Sequence, residues 1–124
     1  MRTFTLEEAS ALLPEARRRI GEVAAMTADL QRLAAEIQEA GEPPPGLLPD
    51  AKALEARIHE GLEWFARESI QVKGIAPALL DFPARTRDGV VLLCWREGEE
   101  GIAWFHPTDT GYLGRAPISE ADLL

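Results

Sequence analysis

Asparagine is missing from the 124 residues, glutamine occurs three times, and lysine twice against eleven arginines. Removal of thermolabile amides and a preference for arginine fit a thermophilic source, although GC-rich coding produces the same bias. Cysteine occurs once, as Cys94, which excludes a disulfide within the chain. The opening stretch from Met1 to Glu8 lacks the apolar centre and cleavage site of a signal peptide, so a cytoplasmic location is expected. Apolar runs are short. The longest, Gly89 to Trp95, is a strand's length rather than the ~20 residues that cross a bilayer, so no membrane role is expected.

Basic charge is also in deficit. Thirteen Lys and Arg face twenty-one Asp and Glu, for a net charge of -8 and a pI near 4.7. That field repels nucleic acid and anionic membranes, and neither is expected as a partner. Arg17-Arg18-Arg19 is a local exception, but Glu15 and Glu22 stand four residues from Arg19 and Arg18, so helical ion pairing accounts for the run. The chain carries no glycine-rich nucleotide loop, no metal-ligand spacing and no complete nucleophile set. No cofactor, bound metal or catalytic residue is therefore assigned.

What is present begins with a helix start at Phe4-Thr5-Leu6-Glu7-Glu8, where Thr5 and Glu8 can cap each other's amides. Pro14 lacks the amide that a continuing helix needs, which predicts a short first helix and a new start at Pro14. From Glu15 to Ala40, Ala16, Val23, Leu30 and Ile37 form one apolar row beside Met26, Leu33 and Ala40. This spacing, close to three and a half residues, is a coiled-coil-like seam interrupted only by Arg19. Gly41 to Gly46, with three prolines, stops it. A second long helix is predicted from about Asp50 to Gln71, with Leu54, Ile58, Leu62, Phe65 and Ile70 inward, antiparallel to the first.

After Lys73-Gly74 the period changes to that of strands. Three are predicted: Ala78–Arg85, restricted by Pro77 and Pro83 to an edge or to the ends of the pairing, then Val90–Glu97 at the centre and Ile102–His106. Alternation puts Cys94 and Arg96 on one face of the central strand and Trp95 and Glu97 on the other. If the hairpin register sets Cys94 opposite Trp104, His106 joins Cys94 beside Leu92; a one-residue slip abolishes the cluster. That pair is a candidate metal or thiolate–imidazole couple, with Asp81 or Asp109 orienting the imidazole. As a structural alternative, Cys94 is a small core hydrophobe and His106 satisfies a backbone group. Asp81 with Arg85, Glu97, and Arg115 after Gly111-Tyr-Leu-Gly are further ligand-binding candidates; Arg115 equally suits an ion pair in so acidic a chain. His59 reads as solvent-facing. The pairs Trp64-Phe65 and Trp104-Phe105 cannot all point into one core, so Trp64 and Trp104 are candidate interface anchors beside arginine.

The ordered motifs F-T-L-E-E-A-S-A-L-L-P, V-K-G, L-D-F-P-A-R, G-V-V-L-L-C-W-R-E-G-E, I-A-W-F-H and G-Y-L-G-R-A-P-I span nearly the whole chain. On these the chain resembles the bacterial domain-of-unknown-function family numbered 2203. The resemblance implies a small cytoplasmic protein and carries no activity, cofactor or catalytic residue.

These readings predict one α+β domain over 1–124: a helical half, 1–72, whose long antiparallel hairpin packs on a small antiparallel sheet of about three strands in a β-rich half, 73–124. Two helices leave their seam open, so a homodimer is expected to close it through Val23, Leu30 and Ile37. The leading function is a non-enzymatic interaction or scaffold module with a protein partner. The alternative is a small-ligand or metal-binding protein, with or without enzyme activity, that uses Asp81, Arg85, Cys94, Glu97, His106 and Arg115.

Overall fold

The computed structural model describes residues 2–42 and 44–124; Met1 and Pro43, the latter one of the three prolines expected to stop the first helix, lie outside the described residues. Helix α1 (Leu6–Ala40) and helix α2 (Leu47–Arg67) form an antiparallel hairpin. Five strands follow: β1 (Gln71–Ile75), β2 (Ala78–Thr86), β3 (Gly89–Arg96), β4 (Trp104–Pro107) and β5 (Ala116–Pro117). They form one antiparallel meander in sequence order.

Thr5 caps α1 by accepting from the Glu8 amide, while the Glu8 carboxylate accepts from the Thr5 amide. Contrary to the expected break, α1 runs unbroken through Pro14. Pro14 lies on the exposed side, and Leu13 and Ala16 on either side of it are buried. Continuous burial along that stripe outweighs the single hydrogen bond that proline removes. Gly41 ends α1 with a φ of 74°. α2 ends four residues earlier than predicted: Ser69 turns left-handed at φ 63°, and the Ile70 amide folds back to the Phe65 carbonyl. Gln71, expected in the helix, opens β1 instead.

The expected count of about three strands is thus corrected to five. β1 directly follows a helix without an alternating pattern, and β5 has only two residues. β2 is an inner strand rather than an edge, and Pro77 and Pro83 fall at the ends of its pairing with β1. It tolerates Pro83 because β1 pairs only as far as Asp81. The Pro83 carbonyl accepts from the Phe4 amide, so the proline nitrogen also faces that vacated side rather than β3.

One sheet face packs on the hairpin. Ala78, Leu80, Phe82 and Ala84 of β2 and Leu93 and Trp95 of β3 meet Ala9, Leu13, Ala16, Ile20 and Val23 of α1, with Phe65 and Phe4. Phe4 and Phe82 meet edge to face at 5.4 Å. The buried α1 residues are spaced alternately by four and three, which holds one stripe against the sheet. Val23 is the pivot. Beyond it the apolar row turns toward α2, and no later residue of α1 is fully buried. Among the described residues, no helix is long and apolar enough to cross a membrane.

Candidate functional site

The opposite face of the sheet carries the chemistry. Asp81 pairs across the strands with Cys94, Cys94 with Trp104, and Leu92 with His106. This is the register on which a shared Cys94–His106 face depends. Alternation then brings Asp81, Cys94 and His106 to one face although they come from three strands. Asp81 and His106 stand two strands apart, roughly 10 Å between backbones, so their side chains lean over β3 to meet. All three residues are buried, at 1%, 0% and 1% exposure. One ligand atom from each lies within 4.8 Å of the others.

Hydrogen bonding fixes the imidazole. Its Nδ1 lies 2.8 Å from the Pro107 carbonyl, which only accepts, so Nδ1 carries a proton and donates. Its Nε2 lies 3.1 Å from both oxygens of Asp81. Lys73 reaches the same carboxylate from the solvent side, its Nζ 3.1 Å from Oδ2. Asp81 is therefore the carboxylate that meets the imidazole; Asp109 is exposed in the following turn.

A cysteine nucleophile does not fit this arrangement. Such a site needs one ring nitrogen on the thiol as its base, whereas here Nε2 faces the carboxylate and Nδ1 is committed to the backbone. Burial, followed by the negative charge of Asp81, pushes the Cys94 thiol from its ordinary 9.0 up to about 12. A fully buried, protonated thiol is inert toward substrates.

The remaining candidates lie apart from this cluster. Arg85 is exposed on β2 and makes no ion pair among the described residues, so it does not form a recognition pair with Asp81. Glu97 accepts from the Ala78 amide at 3.1 Å and acts as a strand-end cap. Arg115 bonds Glu99 at 2.7 and 2.8 Å and reaches the Cys94 carbonyl at 3.5 Å. Its guanidinium lies over both the Trp104 and Tyr112 rings. Burial opposes that charge, yet the Glu99 bonds and neighbouring groups hold the pKa above its ordinary value. Lys73 and Glu99 were missed in the sequence; Lys73 has only its place before Gly74 to suggest it, and Glu99 lies in the turn after β3.

Trp64 and Trp104, the candidate interface anchors, are not bare. Both are half-buried, and Arg19 covers Trp64 as Arg115 covers Trp104. The arginine run pairs as the spacing suggested, Arg18 with Glu15 and Glu22, and Arg19 with Glu15. His59 is 74% exposed beside Glu63. Val23 is buried, whereas Leu30 and Ile37 are half-buried on the outer hairpin.

A helical hairpin on a five-stranded meander, with a buried Asp–Cys–His cluster on the sheet's other face, defines a small α+β protein. Residues 2–118 match the family described as "Uncharacterized conserved protein (DUF2203)", and the chain belongs to it. No curated protein and no solved structure matches the chain.

Proposed function

We propose that this protein is a non-enzymatic interaction module whose outer hairpin docks onto a second copy of itself, in a cytoplasmic setting that keeps Cys94 reduced. The observation that carries the reading is where burial stops. The buried stripe of α1 ends at Val23, and Phe65 is the sole buried residue of α2 among those described, yet the apolar row continues through Met26, Leu30, Leu33 and Ile37. From Val23 to Ala40 the arm is about 25 Å long at ~1.5 Å per residue. Two helices cannot enclose such a row, and pairing two hairpins into a four-helix bundle does so with the commonest oligomer symmetry.

Light scattering on the full chain and on a Leu30→Glu/Ile37→Glu variant tests this. The expected result is a dimer that the two charges convert to a monomer, with near-UV tryptophan signals unchanged. A wild-type chain that stays monomeric at every concentration overturns the reading.

A further inference from the structure

We infer that Asp81, Cys94 and His106 form a buried binding site for one divalent transition-metal ion of the zinc class. Thiolate, imidazole and carboxylate are the donors that zinc takes. The imidazole is arranged as in such sites, with Nδ1–H fixed on a backbone carbonyl and Nε2 turned inward to the other two donors. The equal 3.1 Å spacing from Nε2 to the two Asp81 oxygens is longer than a directed charge-assisted hydrogen bond, ~2.7–2.9 Å. It falls between that range and the edge of a tetrahedron around zinc, roughly 3.3 Å for oxygen and nitrogen donors at ~2.0 Å. Each of the three residues supplies one donor atom, Asp81 through either oxygen, and a water molecule completes the tetrahedron.

Charge supports the same assignment. A dication, a thiolate, a carboxylate and a neutral imidazole sum to zero, the state a buried site favours. On binding, the Cys94 thiol proton and the Nε2 proton that Asp81 accepts in the metal-free chain both leave to bulk water as the sulfur–metal and nitrogen–metal bonds form. Lys73, 41% exposed, withdraws its ammonium from Asp81 to solvent as the dication takes its place. The metal ties β2, β3 and β4 together, which is a role independent of the hairpin.

Cobalt(II) added to the chelator-treated full chain tests the site. One equivalent is expected to produce tetrahedral d–d bands and a thiolate-to-cobalt charge-transfer band. Cys94→Ser should abolish the charge-transfer band, and His106→Ala should weaken affinity beyond the ~10–100-fold that loss of a supporting group costs. Zinc at about 100 times its dissociation constant should raise the melting temperature by roughly 10 °C. X-ray absorption of the zinc-loaded wild type needs no variant to fold: one sulfur at ~2.3 Å with nitrogen and oxygen at ~2.0–2.2 Å supports the site. A zinc shell without sulfur, or no thiolate band with cobalt, overturns it and leaves a purely hydrogen-bonded Asp–His–Lys network.

Discussion

The two ends of α1 have nearly the same apolar spacing and very different surroundings. Toward the N-terminus, Ala9, Leu13, Ala16, Ile20 and Val23 are buried to within 4% on a sheet; toward the C-terminus, Leu30 and Ile37 have only α2 beside them and stay half-exposed. A periodic seam therefore reports which side of a helix is inward without reporting what covers it. The sheet makes the complementary point. Its helix-facing side is apolar, while its other side buries a carboxylate, a thiol and an imidazole whose polar atoms have partners nearby.

The sharpest test of this contrast pairs a substitution in each region. Phe82→Ala should cost about 3–5 kcal/mol in denaturant unfolding, and Leu30→Ala about 1 kcal/mol at concentrations that keep the chain monomeric. Equal costs would break the distinction. On the other face, Asp81→Ala should cost roughly 3 kcal/mol in the metal-free chain, because it leaves the buried His106 Nε2 without its acceptor while Lys73 turns to solvent. A loss below about 1 kcal/mol, by the same measurement, would mean the cluster adds little to stability.

Cys94 gives the polar face a pH signature. Its folded pKa is raised from 9.0 to about 12, so the folded state keeps a proton that the unfolded state releases. The metal-free chain should therefore hold this contribution below about pH 9 and lose it as pH rises toward 12. Denaturation across that window should show a shallower decline in Cys94→Ala than in wild type. Smaller still is the effect at the hairpin pivot. A Cβ on Gly61 would lie 2.7 Å from Val23 Cγ2, so Gly61→Ala should lose about 1 kcal/mol net in spite of alanine's better helix propensity. Smallest is Arg18→Ala, which removes exposed ion pairs with Glu15 and Glu22 and should leave the denaturation midpoint almost unchanged.

Local chemistry was legible in the sequence wherever neighbours decide the outcome. The Thr5–Glu8 box, the Glu15 and Glu22 pairs and the hairpin's stop are all set within a few residues. Pro14 misled because its local penalty is outweighed by burial against a sheet some seventy residues away. Ile20 belongs to a row with Leu13 that faces the sheet, not to the row that faces α2, and so fell outside the seam. For the polar cluster, Cys94 and His106 were placed together on condition of one register. Asp81's part depended on a strand pairing that no local pattern fixes, because Pro83 argued against an inner strand.

Hydrogen exchange at two protein concentrations tests the central claim, that the base of the molecule is self-sufficient while the outer hairpin completes its packing on a second copy. The account predicts that amides of Met26–Ala40 and Leu47–Ile58 gain protection as concentration rises, while those of β2, β3 and Ala9–Val23 do not change. Equal protection of the outer hairpin and the sheet at both concentrations would contradict it.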